Sequence, residues 1–258
     1  MAKSYLKKFL NKNKIAFVVG GSGFIGKEVT KALAESGAKV INLDVQNAFK
    51  NNKRVKFEKF DCSKTDLLRS LFDGICKKYK SPDIFVNCSY PRTDDWSSNS
   101  FEKISMRSYK KNLDIHLNSY VWLAKYAAEA MYKKKRGGSI IQFSSTYGLV
   151  GQTMKIYKGT NIKHSMTYSI IKGGISNLTR QMASYYGKFN IRVNSICPGG
   201  VLSSYMPKKF IKNYNEVVPM GRLCQTHEVA SAVLFLSSDA SSYITGTDFV
   251  IDGGWTCI

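Results

Sequence analysis

At 258 residues the chain is long enough to bury a full core, and a doubly wound α/β protein of this size is commonly one domain. Its formal charge of +21 is spread along the whole sequence, and the densest cluster, Lys133-Lys134-Lys135-Arg136, falls where a helix ends, a place that favours cations with no nucleic-acid partner. Six cysteines without a Cys-x-x-Cys pair argue against a zinc site or a disulfide framework, and no apolar run approaches the ~18 residues of a membrane span, so the expectation is a soluble, cytoplasmic protein of reduced thiols with no metal, nucleic-acid or membrane partner.

A lysine-rich segment, 1–14, precedes Ile15-Ala16-Phe17-Val18-Val19, which reads as a buried strand. The strand runs straight into Gly20-Gly21-Ser22-Gly23-Phe24-Ile25-Gly26, a Gly-x-x-Gly-x-x-Gly turn. A helix follows, with Ile25, Val29, Ala32 and Leu33 on one face and Gly37 at its end, and then a second strand, Lys39-Val40-Ile41-Asn42-Leu43. Strand, glycine turn, helix and strand in this order form the setting that a dinucleotide fingerprint requires. Glycine belongs in the turn because a side chain would hold a pyrophosphate away from the backbone N–H groups and the positive end of the helix. Gly20, Ser22, Gly23, Phe24, Ile25 and Gly26 are therefore candidate cofactor contacts.

Asp44 closes the second strand ~20 residues past the turn, where a carboxylate accepts hydrogen bonds from the adenosine ribose hydroxyls. A 2′-phosphate would face that charge, and neither Ser22 nor Val45-Gln46 offers a cation, so NAD(H) is predicted over NADP(H). The competing reading is an Asp that only ends a strand.

Further along, Val55 to Phe60 is a strand, Leu67, Leu68, Leu71, Phe72 and Ile75 make a helical stripe, and Ile84-Phe85-Val86 is the next strand. Pro91 to Ser100 is Asp/Ser-rich like a surface loop, and Leu113, Leu117, Tyr120, Ala124 and Ala127 mark a long helix. Ser139-Ile140-Ile141-Gln142-Phe143 is a strand ending in Ser144-Ser145. Another helix carries its stripe through Ile171, Ile175, Leu178 and Met182, and Arg192 to Ile196 and Asp248 to Ile251 supply the last strands. Seven strands alternating with helices predict a single α/β domain over 1–258, an open, doubly wound parallel sheet covered on both faces.

Near the start of the fourth of these helices stand Tyr168 and Lys172, one turn apart on one face. A free phenol ionises near pH ~10, and a neighbouring cation favours its phenolate, so this pair can move a proton near neutrality. Taken alone, Tyr-x-x-x-Lys is common by chance.

In company with the other segments it is not. The Gly20 to Gly26 turn, Asp61 and Asn87 after their strands, Ser144-Ser145, Tyr168-x-x-x-Lys172, Asn194-Ser195-Ile196-Cys197-Pro198-Gly199-Gly200, Ile244-Thr245-Gly246 and Asp252-Gly253-Gly254 together resemble the short-chain dehydrogenase/reductase family over essentially the whole chain. The resemblance implies a Rossmann-like fold and a hydride transfer between a nicotinamide and a substrate carbon, with Tyr168 transferring the proton. It implies that Lys172 holds the nicotinamide ribose and lowers the Tyr168 pKa, and that Ser145, rather than Ser144, hydrogen-bonds the substrate oxygen. Asp61 would bind the adenine amine with Cys62 beside it, and Asn87 would stabilise the end of its strand. Pro198-Gly199 would turn the chain over the nicotinamide beside Val201, leaving 201–216 as a mobile lid. Family relatives pair through the helices near 113–131 and 168–186, which implies a homodimer or homotetramer.

Three departures from the family pattern stand out. Twenty-two residues separate Ser145 from Tyr168, a longer gap than the short branch of the family usually has. This insertion, 148–167, carries Lys155, Tyr157, Lys158, Lys163 and His164, is expected to border the substrate pocket, and would suit an anionic sugar. His116 stands where the short branch has an asparagine that stabilises a helix irregularity near the lysine; it is a candidate catalytic residue that can titrate near neutrality, or else a buried hydrogen-bonded histidine. Asn87-Cys88-Ser89-Tyr90-Pro91-Arg92 puts a tyrosine where the family has a glycine, narrowing the space beside the nicotinamide. The glycine spacing and Ser144-Ser145-Thr146-Tyr147-Gly148 resemble the extended, sugar-nucleotide-modifying branch, whereas the Pro198-Gly199 motif and the Asp252-Gly253-Gly254 ending resemble the shorter branch. The three departures together resemble oxidoreductases of flagellin glycosylation and nonulosonic-acid or surface-polysaccharide synthesis. The expected activity is thus hydroxyl/ketone interconversion on a sugar or sugar nucleotide. A reductase of small carbonyls or acyl chains, and a non-catalytic cofactor-binding regulator, are the alternatives.

Overall fold

The computed structural model describes residues 4–258. Seven strands, β1 (Ile15–Val19), β2 (Lys39–Asp44), β3 (Val55–Lys59), β4 (Ile84–Asn87), β5 (Gly138–Phe143), β6 (Ile191–Pro198) and β7 (Asp248–Ile251), form one sheet in the order β3-β2-β1-β4-β5-β6-β7. Every pairing is parallel. The central strands are apolar at consecutive positions because both faces are covered. Val18, Val40, Ile84 and Ile141 pack against α1 (Gly26–Glu35) and α7 (Thr226–Ser237). Their neighbours Phe17, Ile41, Phe85 and Ile140 pack on the other face with Phe72 of α2 (Leu68–Tyr79) and Leu123, Ala127 and Met131 of α4 (Ser119–Lys133). Strand order reverses between β1 and β4, which opens a crevice at their carboxyl ends.

The long helix starts earlier than its apolar stripe predicts. It comprises α3 (Met106–Asn112), a π-helical turn over Leu113–Asn118, and α4. The α3 segment is too polar to show a stripe, and the Ser105 hydroxyl starts it by accepting from the Ser108 N–H at 3.1 Å. After α5 (Met166–Tyr186), a further short helix, α6 (Lys208–Asn215), lies within the segment expected to be a mobile lid.

A third apolar cluster, separate from the sheet, joins Ile156 of the insertion to Phe210 and Tyr214 of α6 and to Val218, Leu223 and Trp255. At the other end, the basic N-terminal segment is docked through its last residues: buried Asn11 donates to Ser36 (3.2 Å) and Ser237 (3.1 Å), and Lys14 pairs with Asp239 at 2.7 Å. Residues 1–3 of that segment lie outside the described residues. Among the described residues, no helix is long and apolar enough to cross a membrane.

Candidate active site

The crevice is a cleft of about 1060 Å³ with glycine turn residues at one end and Tyr168 and Lys172 at the other. At the glycine end, Gly20 has φ +73°, and a Cβ there would lie 2.7 Å from the Ser89 Cα. A Cβ on Gly26 would collide with the Gly20 carbonyl. The N–H groups of Phe24 and Ile25, just ahead of α1, take no hydrogen-bond partner within the described chain. Close backbone approach and free N–H groups at a helix N-terminus fit a pyrophosphate. Gly20, Gly23, Phe24, Ile25, Asp44, Asp61 and Cys62 all line this part of the cleft, whereas Ser22 and Gly26 do not.

Ser22 is instead internal scaffolding. Its hydroxyl donates to the Gln46 carbonyl at 2.6 Å and accepts from Asn42 at 2.8 Å, so the side chain is occupied in joining the turn to the loop after β2. Asp44 accepts from the Ser22 N–H at 2.9 Å and the Gln46 N–H at 3.1 Å, which fixes its carboxylate at the rim. Asp61 accepts from the Ser63 N–H (3.0 Å) and hydroxyl (2.6 Å). Burial raises the Cys62 thiol to about 11, so it is a neutral wall of the cleft. Asn87 is buried behind the cleft, its amide oxygen accepting from the Ser89 N–H (3.1 Å) and hydroxyl (2.6 Å).

At the chemical end, Ser165 caps α5 by accepting from the Tyr168 N–H at 3.2 Å, which sets Tyr168 in the first turn and Lys172 directly behind it. The two serines after β5 divide cleanly. Ser144 donates to the Lys172 carbonyl and accepts from Ser176, both at 2.8 Å, and is consumed in holding α5. Ser145 accepts from the Tyr147 N–H at 3.2 Å, and its hydroxyl is near enough to the Tyr168 phenol to favour the phenolate. Lys172 is 3% exposed; its ammonium donates to the Phe143 carbonyl at 2.8 Å and lies 5.2 Å, 5.6 Å and 5.8 Å from the ring centres of Tyr120, Tyr168 and Tyr90.

Burial governs the protons here. It lowers Lys172 to about 7 and raises Tyr168 above its ordinary value, the nearby Ser145 hydroxyl opposing the rise. The expected lowering of the phenol by Lys172 is therefore not what these two groups produce by themselves, because desolvation of the pair outweighs their attraction.

The π turn surrounds His116, so the irregularity expected at this register is present. The His116 carbonyl, however, accepts from both the N–H and the hydroxyl of Ser119, the latter at 2.8 Å, and is engaged inside the helix. Both ring nitrogens are buried without a partner, which corrects the alternative of a hydrogen-bonded histidine. Burial, aided by the Lys172 charge, pushes its pKa well below 6.5, so it is a neutral imidazole and does not titrate near neutrality. Its ring meets Tyr90 edge-on at 5.1 Å, and Tyr90 in turn meets Tyr168 at 6.0 Å.

Two expectations about loops are corrected. Val201 is buried, bridges to Cys224 and does not line the cleft; α6 behind it is anchored by Asn213 donating to the Ile156 (3.1 Å) and Lys158 (2.9 Å) carbonyls and by Tyr214 stacked on Trp255 at 4.7 Å. Only the stretch between Val201 and α6 reaches the cleft, through Ser203 and Tyr205; Pro198 lines it, while Gly199 is tied to the Ile251 carbonyl at 2.9 Å. The insertion does not border the main cleft. Tyr157, Lys158, Lys163 and His164 instead enclose a second cavity of about 540 Å³ with residues 100–103, where His164 faces Glu102 at 3.8 Å, and Lys155 lines neither.

Sequence reasoning did not single out Tyr120, whose hydroxyl is shared between the carbonyls of Asn87 (3.0 Å) and Ser89 (2.9 Å) and whose ring flanks Lys172. Its spacing of one turn from His116 was the available signal.

This architecture and side-chain set define a nicotinamide-dependent oxidoreductase class, and comparison with known proteins agrees. A family model described as enoyl-(acyl carrier protein) reductase matches residues 21–256, and the chain belongs to the short-chain dehydrogenase/reductase family. It is 30% identical over 255 residues to post-translational flagellin modification protein A of Campylobacter coli, covering 94% of this chain and 98% of that one. It is 29% identical over 273 residues to sorbose reductase of Candida albicans, covering 100% and 92%. A short-chain dehydrogenase of Leptospira borgpetersenii solved with bound NAD+ superposes with a TM-score of 0.87 at 29% identity, covering 99% and 97%.

Proposed function

We propose that the chain is an NAD(H)-dependent oxidoreductase interconverting a hydroxyl and a ketone on a sugar or sugar derivative of a bacterial glycan pathway. The observation that carries this reading is the convergence of Tyr168 and Lys172, with Ser145 acting on the phenol, at one end of a cleft whose other end has the crowded glycine turn and the Asp44 carboxylate. A nicotinamide nucleotide, when bound, supplies or accepts the hydride. Gly20, Gly23, Phe24, Ile25, Asp44 and Asp61 would hold it.

The rest is the work of the chain's own groups. Tyr168 gives its phenolic proton to a ketone oxygen, or takes one from a hydroxyl. Ser145, beside that phenol, shares the same substrate oxygen and stabilises the charge growing on it. Lys172, when protonated, holds the tyrosinate that remains, and its bond to the Phe143 carbonyl fixes its position. The sugar assignment draws support from the flagellin-modification and sorbose-reducing relatives. Preference for NAD(H) rests on Asp44, which would repel a 2′-phosphate.

Nucleotide titration and turnover test both parts. NADH is expected to bind more tightly than NADPH, and Tyr168→Phe to lose about 10²- to 10⁴-fold in kcat on ketoses while still binding NADH. Tighter NADPH binding would overturn the cofactor assignment. NADH binding with no turnover of sugars, small carbonyls or acyl thioesters would mark a nucleotide-binding regulator instead.

A further inference from the structure

We infer that Arg92 is the specificity determinant of this cleft, recognising a carboxylate or phosphate on the substrate. The inference rests on the proposed role of Tyr168 and adds the charge class of what Tyr168 acts on. Arg92 lies on the loop after β4, and its guanidinium carbon stands 5.5 Å over the Tyr90 ring. That ring is itself wedged, edge-on, among Trp96 at 5.7 Å, His116 at 5.1 Å and Tyr168 at 6.0 Å. The cation is thus held one aromatic ring away from the phenol, and Arg92, Tyr90 and Tyr168 all line the same cleft.

Partnering sets Arg92 apart from most arginines of the chain. Arg69, Arg180 and Arg222 pair with carboxylates, and Arg54 and Arg192 donate to carbonyl oxygens. Among the described residues Arg92 has no carboxylate within 4.0 Å and no side-chain hydrogen bond. Asp94, two residues on, lines the cleft too but lies beyond ion-pair distance. The other cations in the wall are committed: Lys111 to Asp114 at 3.1 Å and Lys172 to the Phe143 carbonyl. Stacking on a ring restrains the guanidinium while leaving its forked N–H edge free, the form in which arginine binds a carboxylate or phosphate through two parallel hydrogen bonds. A neutral polyol would leave that fork facing water and gain nothing from it. The expected substrate therefore carries its hydroxyl or ketone at Tyr168 and an anionic group about one sugar ring away.

Binding to the Tyr168→Phe protein loaded with NADH tests this without requiring turnover. Glucuronate, glucose monophosphate and glucose are titrated calorimetrically, with and without Arg92→Gln, alongside kcat and KM for the same compounds on the Tyr168-intact enzymes. At least one of the two anions is expected to bind more tightly than glucose, and which one distinguishes a carboxylate from a phosphate. Arg92→Gln is expected to weaken that anion by about 10- to 100-fold, to appear in KM rather than kcat, and to leave glucose unchanged; Arg92→Lys should recover part of the loss. Anions that bind no better than glucose, or an Arg92→Gln effect equal on charged and neutral ligands, would overturn the inference. Arg92 is exposed, so NADH affinity and melting temperature should match those of the parent and show that the fold is intact. Anion binding lost in Arg92→Gln together with absence of any turnover would leave the Arg92 assignment standing and defeat only the proposed catalysis.

Discussion

Lys172 carries the sharpest conflict at the residue scale. An ammonium enclosed by three aromatic rings, with one carbonyl as its acceptor, is held at a pKa of about 7, well below its value in an unfolded chain. Between those two values the unfolded chain binds the proton that the folded chain has released, so stability must rise with pH across that window. Below about 7 the penalty is present in full. Lys172→Met removes the group, and although it also lifts the Lys172 charge from His116, burial keeps that imidazole neutral across this window. Thermal melts at a series of pH values should therefore show wild type gaining on the variant as pH climbs from about 7 towards 10, by up to about 1.4 kcal/mol per pH unit. Parallel curves would mean that the lysine is not desolvated. Tyr168 and Lys172 were legible in the sequence because their spacing is local, and the serine pair because the segments together resemble a known family. The direction of the Tyr168 shift was not, since it depends on how deeply folding buries both partners, which no spacing records. Arg92 was visible only as part of a Tyr-Pro-Arg string; its unpaired guanidinium inside the cleft emerges only from the folded arrangement.

Elements show the same division. The seven strands lie within a residue or two of their sequence-based limits, because burial on both faces writes itself into the hydrophobic pattern. α3 left no stripe, and the π turn is a change of hydrogen-bond register that side-chain pattern does not encode. The segment 201–216 reads as a lid by family resemblance, yet α6 inside it is pinned to the insertion and to Trp255 by an apolar cluster assembled from distant parts of the chain. Trp255→Ala should open that cluster, costing about 3–5 kcal/mol if the loss is felt globally, and should speed protease cleavage within 201–216. Cleavage as slow as in wild type would show that α6 is held by something other than this cluster.

For the whole molecule, the parallel sheet does one thing that matters most: its reversal of strand order places the glycine turn and the Tyr168 helix at the same crevice although nearly 150 residues separate them in sequence. Trp122 and Tyr132 on α4 and Ile170 and Tyr185 on α5 remain 42%, 51%, 41% and 59% exposed, and apolar side chains of this size suit a subunit contact. Light scattering should accordingly report a homodimer or homotetramer, and Trp122→Glu with Tyr185→Glu should shift it towards monomer; a wild-type monomer would contradict that proposal. The central claim is that this crevice performs proton-coupled hydride exchange through Tyr168, and isotope transfer tests it most directly. With NADH deuterated on its transferable position and a panel of ketoses and keto-sugar acids, the wild-type protein is expected to place deuterium on the new carbinol carbon of at least one product, and Tyr168→Phe to bind the nucleotide yet transfer almost none. Transfer by Tyr168→Phe at the wild-type rate would contradict the account.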